Sequence, residues 1–218
     1  MSVLDAHLAD LAAALPPYRT VAGRLAAWGR DLASTLDQGG RLLVAGNGGS
    51  AAEAHHLAAE LVGRLRDDRR PLSAIALSAD TSSLTAIGND YGYQEVFARQ
   101  VRAHGRPDDA LLLLSTSGRS PNLLAAADAG AAVGMRVLAF TGPGPNPLTR
   151  RCLDALAVPS ADPQVVKELH LVSVHVLCEY IEQCLPAARG HRNGHPAPAA
   201  LRSTVEIWSG LEADGRRT

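Results

Sequence analysis

The sequence predicts an α/β protein: a doubly wound, mainly parallel sheet of five strands flanked by helices, with further helices ahead of it at the N-terminus. Three observations carry this. Five short apolar runs, residues 41–45, 73–77, 110–114, 136–140 and 153–158, lack polar alternation, as strands buried on both faces do. Longer helical patterns separate most of them, which suits crossovers between parallel strands. The loops after the first and third runs are rich in glycine, serine and threonine.

A chain of 218 residues is long enough for one substantial core, and residues 1–186 are read as that single domain, with 187–218 as a tail. Apolar residues make up 46%, charged residues 20%, and the formal net charge is −1, the balance of an ordinary soluble protein. Nothing in this asks for nucleic acid or an anionic membrane surface, and no stretch approaches a membrane span. The start carries Asp5, His7 and Asp10 among alanines, so it lacks the basic flank and apolar core of a signal peptide, and a cytoplasmic location is expected. Cys152, Cys178 and Cys184 are unpatterned and read as reduced structural thiols.

Taken in order, residues 3–15 form a first helix and 17–36 a second, with Val21, Leu25, Trp28, Leu32 and Leu36 at three- and four-residue spacing. That stripe serves either the core or a contact between chains. Gln38-Gly39-Gly40 ends it, and the strand–helix alternation follows. The last long helix spans 163–185, with Pro163 suited to a first turn and Pro186 barring continuation. The Pro/Gly/His/Ala stretch beyond it is expected to be mobile, with His191 and His195 solvated and a short amphipathic piece around 201–211 that includes Trp208.

Ligands of open α/β sheets sit at the carboxyl ends of strands, so the loops there bear on function. Gly46-Asn47-Gly48-Gly49-Ser50 lets the backbone turn tightly and approach a ligand, with Ser50 able to cap the next helix. Ser115-Thr116-Ser117-Gly118-Arg119-Ser120 offers four hydroxyls plus backbone N–H groups at a helix start, an anion site. Neither loop has the dinucleotide spacing or the P-loop lysine, so no nucleotide cofactor is expected. A phosphate held by hydroxyls points to a sugar phosphate.

On the following helix His56 and Glu60 are four residues apart and share a face, while His55 points elsewhere. His170 and His175 diverge on the last helix, so only one faces the strand ends. A His and a Glu brought together over a sugar act as an acid/base pair or, with more ligands, hold a metal; from spacing alone a surface pair is the more economical account. Asn89-Asp90-Tyr91-Gly92-Tyr93 is a further candidate loop.

The run from Gly46 through His55-His56 and Glu60 to Arg64 resembles the signature of the phosphoheptose isomerase family of SIS (sugar isomerase) proteins. Asn89-Asp90-Tyr91-Gly92-Tyr93, Ser115-Thr116-Ser117-Gly118 with Ser120, and Glu168-Leu169-His170 followed by His175 resemble it too, in the same order, over residues 36–185. The resemblance implies a single SIS domain in a homotetramer that interconverts sedoheptulose 7-phosphate, a phosphorylated seven-carbon sugar, and D-glycero-D-manno-heptose 7-phosphate. It places Ser50, Ser115, Thr116, Ser117 and Ser120 on the phosphate, Asn47, Gly48, Gly49, Asn89 and Asp90 along the sugar, and Glu60 and His175 as acid/base residues.

It also implies a zinc site, for which His56, Glu60 and His175 match three of the family's four ligands. The fourth, a glutamine eight residues before the last histidine, is Lys167 here. A protonated lysine has no lone pair to give, and its charge opposes a bound cation. Three outcomes are open: a three-ligand zinc site, a metal-free site in which Lys167 binds the substrate and polarises an enediolate oxygen, or a site without catalysis. Gln164 supplies the missing amide if the loop before the helix is wound differently. The rival reading is a non-catalytic SIS scaffold that binds a protein or senses a sugar phosphate, as the replication initiator-associating relatives do. Isomerisation of another sugar phosphate is a third.

Overall fold

The computed structural model describes residues 1–66 and 68–186; the expectations for the tail fall outside them. The elements run α1 (Val3–Tyr18), a 3-10 turn (Arg19–Val21), α2 (Ala22–Asp37), β1 (Leu42–Gly46), α3 (Gly49–Val62), β2 (Ala74–Ala76) and α4 (Thr81–Tyr91). A second 3-10 turn (Tyr93–Glu95), α5 (Ala98–His104), β3 (Ala110–Ser115), α6 (Pro121–Val133), β4 (Arg136–Thr141), β5 (Asp154–Ala157) and α7 (Pro163–Cys184) follow.

The five strands form one sheet in the order β2-β1-β3-β4-β5, every neighbour parallel. Successive side chains of each strand point to opposite faces, and both faces are covered. Leu42, Val44, Leu112, Leu114, Leu138 and Phe140 pack under α1, α2, α3 and α7. Leu43, Ala45, Leu111, Leu113, Val137 and Ala139 pack with the apolar residues of α5 and α6. This is why the runs show no polar alternation.

The Trp28 stripe belongs to the core of the single chain. Trp28 is buried and stacks on Phe140 with ring centroids 5.7 Å apart, and its indole N–H donates to Asp154 Oδ2 at 2.8 Å. Pro17 does not open α2. It lies with Pro16 in the last turn of α1, which is anchored by buried Tyr18, whose hydroxyl meets that of Ser173 on α7 at 2.5 Å. Such a tertiary anchor outweighs the local cost of proline. The three cysteines are free thiols, and burial pushes the thiol of Cys178 up to about 12. Among the described residues, no helix is long and apolar enough to cross a membrane.

Candidate active site

Strand order reverses between β1 and β3, because one crossover from β1 leads outward to β2 and the next leads back past it. The loops leaving such neighbouring strands diverge and open a crevice at their carboxyl ends. Those are the two loops singled out by composition, and they line a cavity of about 70 Å³ formed by Asn47, Ser50, Leu114, Ser115, Thr116, Ser117, Ser120 and Leu123. Ser120 is the N-cap of α6 and Pro121 its first residue; the Ser120 carbonyl accepts from the Leu123 and Leu124 N–H groups, and this helix start borders the cavity.

Two glycines make the loops feasible. Gly48 has φ 56° and Gly118 φ 61°, both in the left-handed region. Gly118 is also packed so tightly that a Cβ would collide with the Asn146 amide, whose oxygen accepts from the N–H groups of Leu148 and Thr149. Ser115 is buried and its hydroxyl accepts from the Gly118 N–H at 3.1 Å, so it shapes the loop as well as facing the cavity. Ser50 does not cap α3: Gly48 holds that place, and Ser50 lies buried in the first turn. Asn47 is fixed by a reciprocal amide pair with Asn122, at 3.0 and 2.8 Å, and Tyr93 donates to it at 3.3 Å.

Asn89 and Asp90 are not in a loop. They occupy the last turn of α4, which Gly92 ends at φ 84°. The glycine that reads as a turn signal is a helix stop. A larger hollow, about 500 Å³, lies at the opposite end of the sheet among Gly39, Gly40, Arg106, Asp109 and Arg136. Arg136 is engaged with Asp31 and Asp109 with the backbone of Arg41 and Arg106, and the hollow is away from the carboxyl ends of the strands, so the smaller cavity is the better candidate.

Further along, α3 and α7 lie side by side and bring His56, Glu60 and His175 together. The Nε2 atoms of His56 and His175 are 2.9 Å apart, and Glu60 Oε1 is 3.6 Å from His56 Nε2. Glu60 Oε2 is buried without a hydrogen-bond partner, an acceptor left for a ligand. His55 turns away to Ser78, at 2.8 Å. The two final-helix histidines do diverge: His170 is fully buried beside Phe140, and burial lowers its pKa to about 4, with the Thr141 backbone in loose opposition.

Lys167 lies elsewhere. Eight residues before His175, it is set back about 12 Å along α7, and a methyl group on Gly49 would stand 3.1 Å from its Cδ and 3.8 Å from its Nζ. Gln164 is exposed in the first turn of α7 and does not take its place. The residue that the resemblance sets against the fourth zinc ligand is thus apart from the other three in the chain, and a protonated lysine donates protons, not lone pairs. Among the described residues, no three His, Cys, Asp or Glu side chains are gathered closely enough to hold a metal ion.

One group escaped the reading of the sequence. Glu53, one turn after Gly49 on α3, is 9% exposed; burial pushes its carboxyl up to about 7 and Lys167 opposes this. Its Oε2 has no hydrogen-bond partner and lies 3.9 Å from His170 Nδ1. The signal was present, since residues 53, 56 and 60 share one helix face.

Residues 11–142 match the SIS domain family. The chain is 57% identical over 194 residues, 89% of its length and 82% of the relative's, to a phosphoheptose isomerase of Streptomyces coelicolor. The chain belongs to the phosphoheptose isomerase family. A second family member, from Bradyrhizobium, is 47% identical over 164 residues, covering 75% of this chain and 81% of that one. The solved phosphoheptose isomerase of Francisella tularensis superposes with a TM-score of 0.77 at 35% identity, over 84% of this chain and all of that one. That of Neisseria gonorrhoeae gives 0.76 at 38% identity, over 83% and 97%. The α/β SIS fold with N-terminal helices is thus shared with the family's solved structures.

Proposed function

We infer that the chain is an aldose–ketose isomerase that interconverts sedoheptulose 7-phosphate and D-glycero-D-manno-heptose 7-phosphate. The observation that carries this is the coexistence of a hydroxyl-and-amide cavity at the sheet's switch point with the His56–Glu60–His175 cluster. Family membership at 57% identity supports it. A protein-binding scaffold needs neither the orphaned carboxylate oxygen of Glu60 nor an imidazole beside it.

The phosphate sits against Ser50, Ser115, Thr116, Ser117 and Ser120, where hydroxyls and the start of α6 favour an anion. Asn47, Gly48, Gly49, Asn89 and Asp90 line the sugar. In the direction from ketose to aldose, a base takes a proton from C1 and the C2 carbonyl oxygen gains one, giving the enediol. The O1 proton then leaves and C2 is protonated, so no atom is gained or lost. Glu60 is the carbon base and His175 handles the oxygen protons, with His56 fixing the imidazole across their 2.9 Å contact.

From Gly49 to His56 the rise of α3 is about 10 Å, so the phosphate cavity and the acid/base cluster of one chain lie well apart. We place each complete site between two copies in a homotetramer. The apolar side chains that α1 and α7 leave exposed, among them Val3, Leu4, Leu8, Leu171 and Val172, supply the contact. A doubly charged phosphosugar does not cross membranes unaided, which puts the reaction in the cytoplasm.

The test is turnover of sedoheptulose 7-phosphate by the full chain and by Glu60→Gln and His175→Ala. Acid/base loss lowers kcat by about 10²- to 10⁴-fold in each. Undiminished turnover in either variant removes that residue's role, and no turnover by the unaltered chain removes the isomerase.

A further inference from the structure

Lys167 is the single lysine of the chain, all other Lys/Arg positions being arginine. Lysine and arginine differ in kind: lysine is a compact point charge on a flexible stem, arginine a wide planar fork. Its place over Gly49 suits the compact cation, since even a methyl group there would press on its Cδ. That glycine belongs to the loop that lines the sugar.

The surroundings of Lys167 are those of a ligand-binding charge. Glu53 is nine-tenths buried, and its Oε2 has no partner. Lys167 is near enough for its charge to favour the Glu53 carboxylate, yet the two do not make an ion pair within 4.0 Å among the described residues. Behind Glu53 stands His170, fully buried, with both ring nitrogens unpartnered. A buried carboxyl oxygen without a partner forfeits its hydration with no bond in return, and a polar group of a ligand can supply that bond.

We propose that Lys167 and Glu53 form a subsite for the reacting oxygens of the sugar, Lys167 supplying the positive charge for the enediolate and the neighbouring Glu53 carboxyl group orienting the ammonium toward it. This rests on the isomerase reading above. A fixed positive charge lowers the cost of a developing oxyanion without proton transfer. Lys167 touches the substrate oxygen; Glu53 is a positioning residue and acts through Lys167.

Because the chain has one lysine, reductive methylation with ¹³C-formaldehyde gives one lysine NMR signal besides the N-terminus, and the methylated amine keeps its charge. The probe is a phosphorylated sugar hydroxamate, a stable mimic of the enediolate. At saturating probe the Lys167 signal moves, in the unaltered chain and in Glu60→Gln alike. Glu53→Gln displaces the Lys167 signal already without probe, because a neighbouring carboxyl group is altered. It lowers kcat about tenfold with KM within about twofold, while Glu53→Asp recovers part of the loss. Lys167→Met costs about 100-fold, and adding Glu53→Gln to it costs nothing further, because the two act as a unit. Turnover survives dialysis against a chelator.

An unmoved Lys167 signal at saturating probe overturns the proposal, as does full kcat in Glu53→Gln, or turnover that chelation abolishes and zinc restores. A moving signal without any turnover of sedoheptulose 7-phosphate overturns the isomerase reading and leaves the subsite standing. Failure of the probe to bind at all overturns both.

Discussion

Replacing Gly118 by alanine tests whether the phosphate loop is held by backbone geometry. An alanine at φ 61° enters the left-handed region, at a cost of about 1–2 kcal/mol. Its Cβ also drives the Asn146 amide away, and that amide accepts from the N–H groups of Leu148 and Thr149 at 3.1 and 3.0 Å. Losing both bonds adds about 1 kcal/mol each. The total, about 3–4 kcal/mol, lowers Tm by about 10 °C for a domain of this size. Because Ser117 and Ser120 flank the displaced residue, KM for the phosphosugar rises about tenfold, equivalent to about 1.4 kcal/mol of binding. Calorimetry and steady-state kinetics read the two effects. Gly23→Ala is the control, since a Cβ there meets nothing within 4 Å. In α2 it gains about 0.5–1 kcal/mol of stability. A Gly118→Ala protein that melts within about 2 °C of the parent, with unchanged KM, refutes the reasoning.

Four further outcomes are expected. Trp28→Phe keeps the stacking on Phe140 but loses the bond to Asp154, costing about 1 kcal/mol, whereas Trp28→Ala costs about 3–5 kcal/mol; thermal unfolding separates them. In His170→Leu the acid limb of stability flattens. Native His170 binds its proton only near pH 4 while the unfolded residue binds it near pH 6.5, so the native state loses about 3 kcal/mol as pH falls through that window. Glu53, with its carboxyl raised from 4.5 to about 7, works the other way: its contribution is present below pH 4.5 and is lost as pH rises to about 7. Urea unfolding at pH 5 and pH 7 therefore shows a smaller difference between the parent and Glu53→Gln at the higher pH. Finally, Ser117→Ala and Ser120→Ala each raise KM by about tenfold or more with kcat kept, since each removes a charge-assisted bond to phosphate; a fall in kcat at constant KM counts against phosphate binding there.

Much of this was legible along the chain. Five apolar runs gave the five strands within a residue or two at most ends, because burial on both faces leaves no polar position to confuse the pattern. The glycine and hydroxyl loops marked the switch point, since few sequences turn so tightly or place so many hydroxyls at a helix start. His56 and Glu60 follow from helical spacing, and their meeting with His175 from motif order. Asn89 and Asp90 read as loop residues because a glycine stop signal and a glycine turn signal are the same letter.

The sequence alone determined the sheet, its two glycine- and hydroxyl-rich loops and the candidate acid/base side chains, because periodicity and turn residues are local properties. Tertiary structure decided what no spacing encodes. It assigned the Trp28 stripe to the core through Phe140 and Asp154, and it anchored Pro17 inside α1 through Tyr18 and Ser173. It also separated Lys167 from the histidines and set it over Gly49 near buried Glu53. Each of these depends on which face of one helix meets another, and that is fixed only when the core is packed.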